Sequence, residues 1–252
     1  MRGLNDVEFQ EGEFIVKTLE NADLKQSYRF RHRVFAEQLQ WVPASADHEE
    51  VDMYDLWGVT MGLLGRDGNL LGMARLLPPS GKFMLESEFG ALLPQGYQIR
   101  KTPDTAEITR LAVDPDIQDA RLSTRVMLGV LKGIYQWAVE NKFRYYYLEV
   151  EQRFLRALRM LGFPCEPIGP VVQLPPAGAK AVAALYDMVR FDEENSQKRP
   201  EFLRWMSTIT TMEGDIVEGR TAYFHEQRTG CLADVSEREL SGSGALRGPV
   251  AA

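Results

Sequence analysis

The most constraining stretch of this chain is "WGVTMGLLGRDGNLLGMARLLPP", Trp57 to Pro79. Two apolar runs, 57–65 and 70–77, flank Asp67-Gly68, a dipeptide that tolerates the left-handed backbone of a tight hairpin turn. Pro78-Pro79 cannot donate to a β-ladder and ends the second strand. Ahead of the hairpin, residues 19–41 read as helix. Leu24, Tyr28, Val34, Phe35 and Leu39 keep roughly helical spacing, and the first proline after them is Pro43. Beyond it, "AEITRLAVDP" (106–115) alternates like a half-buried strand stopped by Pro115, and 122–142 reads as a long amphipathic helix. An aromatic strand (144–150), a helix ended by Gly162 (152–163), a strand (171–175) and a further helix (179–195) complete the pattern. A hairpin followed by alternating helices and strands predicts an α/β (α+β) sandwich with helices on both faces of the sheet.

With 252 residues the chain is sized for one domain. We expect that domain over 1–227, and a flexible C-terminal tail over 228–252, where aromatics thin out and Gly, Ser and Ala accumulate. The formal charge of −7 argues against nucleic acid as a general partner. No apolar run of about 18 residues is present, so no membrane span is expected. The acidic start, "MRGLNDVEFQEGEF", lacks a signal-peptide core, which makes the cytoplasm the expected compartment. Cys165 and Cys231 make no disulfide framework, and His32, His48 and His225 show no ligand spacing, so no metal is expected.

The chemistry-bearing segment is "RHRVFAEQLQWVPASADHEEVDMYD", Arg31 to Asp55. Arg31 and Phe35 stand four apart and share one helix face. Trp41 follows, then three carboxylates, Glu50, Asp52 and Asp55, with no matching cation close in sequence. Core packing of Phe35 and solvation of the acids would explain each group alone. Arg75 lies among Met, Ala and Leu in the second hairpin strand, where an unpaired charge is costly unless it faces outward. Glu107 and Arg110 sit three apart in "EITR", and strand alternation sends positions three apart to opposite faces. Acids, cations and aromatics from three segments suit a small zwitterionic ligand carrying a ring.

Taken in order, Arg31, Phe35 and Trp41, then Glu50, Asp52 and Asp55, "RLLP" from Arg75, "MLESEF" ending at Phe89, and Glu107 with Arg110 resemble the acyl-homoserine-lactone synthases, the LuxI-type autoinducer synthases. The match covers roughly residues 14 to 205. It implies a GNAT-like three-layer sandwich with a mixed, splayed central sheet flanked by helices. It also implies two substrates and no cofactor: S-adenosylmethionine, and an acyl thioester on acyl carrier protein or coenzyme A. The amine attacks the thioester, and the methionine carboxylate then displaces the sulfonium, closing a lactone and releasing methylthioadenosine. By the same resemblance Glu107 is the base, with Glu50 and Arg110 beside it in the catalytic group. Arg31, Phe35, Trp41, Asp52, Asp55, Arg75 and Phe89 would shape the S-adenosylmethionine site.

The acyl pocket is expected between the sheet and the later helices, from Tyr147, Val150 and Phe154. Members that favour 3-oxo chains tend to carry Thr where we align Val150, so a chain without a 3-oxo group is expected. Arg121, Arg125, Arg153 and Arg156 would grip the carrier, as part of a basic run that also holds Lys142, Arg144 and Arg159. Ordinary GNAT enzymes cradle pantetheine phosphate in a glycine-rich loop, and "DPDIQDARLST" has no glycine, which disfavours a plain acetyl-CoA acetyltransferase. Two alternatives remain at this level: an N-acyl amino acid synthase or similar acyltransferase with another acceptor, and a non-catalytic ligand-binding relative.

Overall fold

The structure is a computed structural model, and it describes residues 3–176 and 178–218. The expected tail at 228–252 lies outside the described residues. Eleven described strands form one sheet: β1 (Glu8–Glu11), β2 (Phe14–Thr18), β3 (Val59–Leu64), β4 (Leu70–Leu77), β5 (Thr105–Val113), β6 (Tyr145–Glu151), β7 (Glu166–Pro167), β8 (Val172–Leu174), β9 (Ala179–Asp187), β10 (Ile209–Thr210) and β11 (Ile216–Val217). Their order is β11-β10-β1-β2-β3-β4-β5-β6-β9-β7, with β8 also on β9. Among the described pairs only β5 and β6 run parallel, because a helix crosses over between them. The helices are α1 (Asn21–Arg31), α2 (Met84–Ser87), α3 (Ala120–Asn141), α4 (Gln152–Leu161), α5 (Met188–Lys198) and α6 (Pro200–Ser207).

The expected hairpin is β3–β4, with Gly68 at φ 78°. Its alternation sorts the core. Met61, Leu63, Ala74 and Leu76 face α3 and the later helices in one large apolar cluster, with Ala106, Ile108, Tyr146, Leu148, Val182 and Ala184. The opposite face carries two smaller clusters. One joins Leu64, Leu70 and Met73 to Phe30, Val34 and Phe35; the other joins Leu77 to Phe83, Leu85, Tyr147 and Ala183. Between these two apolar clusters the same face carries Arg75, which is fully buried.

Three local expectations change. Residues 19–41 are α-helical only from Asn21 to Arg31; the chain then opens into a π-helical turn, His32–Gln38, a rare geometry often found where a functional side chain is re-aimed. The expected helix at 179–195 divides at Asp187, into strand β9 and helix α5. "AKAVAALY" is apolar at every second position as well as at helical spacing, and pairing with β6 over seven residues decides for strand. Strands β1, β2, β7, β10 and β11 and helices α2 and α6 were not expected at all. The long helix, the aromatic strand and the helix ended by Gly162 stand within two residues of expectation.

Helix α3 approaches the sheet closely through glycines: a Cβ on Gly133 would sit 2.7 Å from Met61 Sδ and Val16 Cγ1. Gly133→Leu is therefore expected to lower stability by about 1–3 kcal/mol through overpacking, read as a lower urea midpoint.

Candidate active site

Three arginines and three carboxylates interlock on the face opposite α3. Arg31 ends α1; Arg75 projects from β4; Arg110 projects from β5. Facing them are Glu50, and Asp52 and Asp55 in the turn that leads into β3. Asp52 Oδ1 accepts the Tyr54 N–H at 2.9 Å and Asp55 Oδ2 accepts the Asp52 N–H at 2.8 Å, a reciprocal cap that fixes both carboxylates. Arg31 donates to Glu50 through Nε and to Asp55 through Nη1 at 2.6 Å. Arg75 Nη1 reaches Asp55 at 2.8 Å and its Nη2 reaches Asp52 at 3.0 Å. Arg110 Nη2 reaches Glu50 at 2.9 Å and Asp52 at 3.2 Å. Burial pushes the Glu50 carboxyl upward, but hydrogen bonds and charge from Arg110 and Arg31 outweigh it and hold it at about 2.

This settles what alternation left open. Arg75 faces inward and paired, its Nε donating to Thr109 Oγ1 at 3.1 Å. Glu107 and Arg110 share one face, against the expectation from spacing. Opposite Met73–Arg75, strand β5 spends one extra residue between Thr109 and Ala112, and Arg110 takes a left-handed backbone, φ 53°. A bulge of this kind reverses the phase of alternation, so the Arg110 side chain lands on the Glu107 side, its guanidinium over the Phe35 ring at 5.4 Å.

Glu107 is fully buried, and its two oxygens accept the backbone N–H groups of Met84 (2.6 Å) and Leu85 (2.9 Å) at the start of α2. Burial raises its pKa to about 7; the two N–H groups and Arg75 oppose that rise. A carboxyl poised there can exchange a proton at neutral pH. Phe35 is buried, with Trp41, partly exposed, 6.1 Å away across the π-turn. Phe89 is half-buried against the Leu77 cluster. Arg31 Nη2 is buried without a hydrogen bond, 3.7 Å from Asp52 Oδ2, a donor not yet fully used.

The expected acyl-pocket residues are not brought together. Tyr147 lies on the Glu107 face and takes the Arg100 N–H on its hydroxyl at 2.9 Å. Val150 and Phe154 pack on the α3 face. Between the sheet and the later helices lies an apolar cavity of about 20 Å³, room for about one water, lined by Ile108, Leu148, Leu158 and Phe163 together with Tyr135, Cys165 and Tyr186.

The basic run is also divided. Arg153 and Arg156 are exposed at the start and middle of α4, but Lys142 and Arg144 stand at the other end of β6, about 20 Å away at the usual strand rise. Arg125 is held by Glu13 at 3.0 Å over the Phe14 ring. Arg121 is exposed, beside the carboxylate of Asp119 that caps α3.

Among the described residues His32, Glu37 and His48 approach one another. Ser45 N–H donates to His32 Nε2 at 3.1 Å, which leaves the ring proton on Nδ1, facing Glu37 at 3.1 Å. A metal would need that nitrogen bare, so the cluster pins the 45–48 loop instead.

Sequence reasoning passed over Glu149. It pairs with Ala183 across β6–β9, on the Glu107 face, and its Oε2 is buried with no hydrogen-bond partner. The signal was present in "YYYLEVE", where alternation sets Glu149 with Tyr147.

Residues 16–198 match the family model described as autoinducer synthase. An acyl-homoserine-lactone synthase of Rhizobium radiobacter is 34% identical over 159 residues, covering 62% of this chain and 74% of the relative. Two solved structures superpose with TM-scores of 0.59 at 23% identity over 69% of this chain. One is TofI in a ternary complex with an inhibitor and MTA, 91% covered, and the other is BjaI, a CoA-dependent acyl-homoserine lactone synthase with MTA, 81% covered.

Because Glu50 titrates near 2 when folded and near 4.5 as a free, solvated side chain, the stability it contributes is complete above about pH 4.5 and is lost as pH falls towards 2. Glu50→Gln should remove about 3 kcal/mol at pH 7. It should also flatten the acid limb of stability between pH 4.5 and 2, measured by denaturant unfolding across that range.

Proposed function

Because this chain belongs to the autoinducer synthase family and is an acyltransferase, we propose that it makes an acyl-homoserine lactone from S-adenosylmethionine and an acyl thioester. The observation that carries the reading is Glu107, a buried carboxyl titrating near neutrality where β5 and β6 part company. Their parallel pairing runs only from Thr105–Tyr145 to Ile108–Leu148. Past that point the sheet offers a gap between the polar face and the apolar cavity behind it. An amine held on the polar face meets a thioester carbonyl at the gap, with the acyl chain directed towards Ile108 and Leu148.

Each part follows from chemistry already described. The S-adenosylmethionine ammonium must lose a proton to attack, and Glu107 accepts it, directly or through water. Asp52 and Asp55 are saturated by arginines and by their own turn, so they support the wall rather than grip the amine. The spare Arg31 Nη2 donor suits the substrate carboxylate, and Phe35 and Trp41 suit its ring. Lactone closure then depends on holding that carboxylate against the γ-carbon. The donor chain is directed towards the apolar side of the sheet, and Val150, which has no hydroxyl, suits a chain without a 3-oxo group. No helix among the described residues is long and apolar enough to cross a membrane, and the substrates are those of the cytoplasm. Exposed Arg153 and Arg156 suit either donor, an acidic acyl carrier protein or the phosphates of coenzyme A.

Incubating the protein with S-adenosylmethionine and a panel of acyl-CoA and acyl-carrier-protein donors should yield methylthioadenosine and acyl-homoserine lactone together, followed by mass spectrometry. Acylation of an amino acid without methylthioadenosine would instead favour the N-acyl amino acid synthase reading. Acylation kcat/KM should rise with pH through about 7 and then level off, and Glu107→Gln should lower it about 10²–10⁴-fold.

A further inference from the structure

Amide formation between an ammonium and a thioester needs three proton transfers. Two leave nitrogen, and one is taken up by the sulfur that departs. Glu107 accounts for removal from nitrogen; something else has to meet the sulfur.

We propose that Glu149 is a second catalytic carboxyl, held as the neutral acid, that protonates the departing thiolate. The assignment rests on the acyl-transfer reading of the same site. Glu107 and Tyr147 are register partners across β5–β6, and Glu149 stands two residues past Tyr147 on the same face, about 7 Å further along the strand. That is where β5 and β6 have separated, so Glu149 borders the gap that a thioester must occupy. Its neighbour across β9 is Ala183, which leaves room beside the carboxyl.

The two carboxyls differ in their partners. Both oxygens of Glu107 accept backbone N–H groups, which favour its ionised form. Glu149 Oε2 is buried with no hydrogen-bond partner, and burying an ionised carboxylate without partners costs far more than burying the neutral acid. Burial, and then the charge of Glu107, push the Glu149 carboxyl well above the usual range, while Arg110, its own backbone N–H and Arg75 draw it back. The pair therefore enters catalysis with Glu107 ionised and Glu149 protonated, two roles set by two environments.

The step balances. The first ammonium proton passes by way of Glu107 to solvent. The nitrogen lone pair then forms the C–N bond, and the carbonyl π pair moves to oxygen. On collapse the C=O bond re-forms and the C–S bond breaks, its electron pair leaving on sulfur. Nitrogen gives its second proton to Glu107, and Glu149 gives its own to the thiolate. Transfer from Glu107 to Glu149 through a bridging water restores the pair, with one proton released overall.

The test varies the leaving group. Wild type and Glu149→Gln are compared on one acyl chain carried by an alkyl thiol, N-acetylcysteamine, and by thiophenol, whose thiolate is a much weaker base. Acylation is followed as loss of the thioester together with gain of the N-acyl product. The variant is expected to lose about 10²-fold with the alkyl thioester and under about fivefold with the thiophenyl ester. The ratio of the two rates within one preparation does not depend on how much of the variant is folded. Equal losses with both donors, or no loss with either, would overturn the assignment. Failure of wild type with every donor would instead overturn the acyl-transfer reading itself.

Discussion

The interlocked arginines and carboxylates are the constraint on which this architecture depends. Arg31 and Arg75 are wholly withdrawn from water, and Glu50 and Asp55 nearly so. Removing such groups from water costs several kcal/mol per ion, and only a complete set of partners repays it. The six side chains come from α1, the 50–55 turn, β4 and β5, so satisfying any one of them brings four segments to the same place. Apolar clusters on either side keep water out and raise the cost of any incomplete arrangement. The result is a rigid wall whose only buried guanidinium nitrogen without a hydrogen bond, among the described residues, is Arg31 Nη2.

The second determinant is a single extra residue in β5. It turns Arg110 to the polar face, completing the ion lattice, and it falls where β5 and β6 cease to pair. The register shift that closes the lattice thus lies next to the point where the β5–β6 ladder ends. Glu107 sits just before the departure, inside the regular ladder, where two α2 backbone N–H groups can reach it. Glu149 sits just beyond, where they cannot. Two chemically identical side chains on adjacent strands thus meet different surroundings: burial pushes both carboxyls upward, and the N–H groups of α2 oppose that rise at Glu107.

Much of this was legible from residue order. The hairpin, the long helix, the aromatic strand and the Gly162 stop follow from alternation and turn chemistry, which act over a few residues. The membership of the site came from the resemblance to a known family, and Arg31, Glu50, Asp52, Asp55, Arg75, Glu107 and Arg110 do converge. Residues 179–187 mislead because alanine and valine at mixed spacing serve either a helix or a strand, and only the partner strand β6 decides. The basic run around Arg144 and Arg153 misleads as one patch because sequence proximity says nothing about the two ends of a strand.

The sequence by itself determined which residues carry charge, which stretches are apolar, and in what order they meet, because those are properties of side chains and of short-range backbone preference. It could not determine which face Arg110 occupies or which of two glutamates receives the N–H groups of α2. Those follow from the bulge, the separation of β5 from β6, and the supply of backbone N–H groups at α2. Each depends on strands brought together from distant parts of the chain, so only the tertiary structure fixes them.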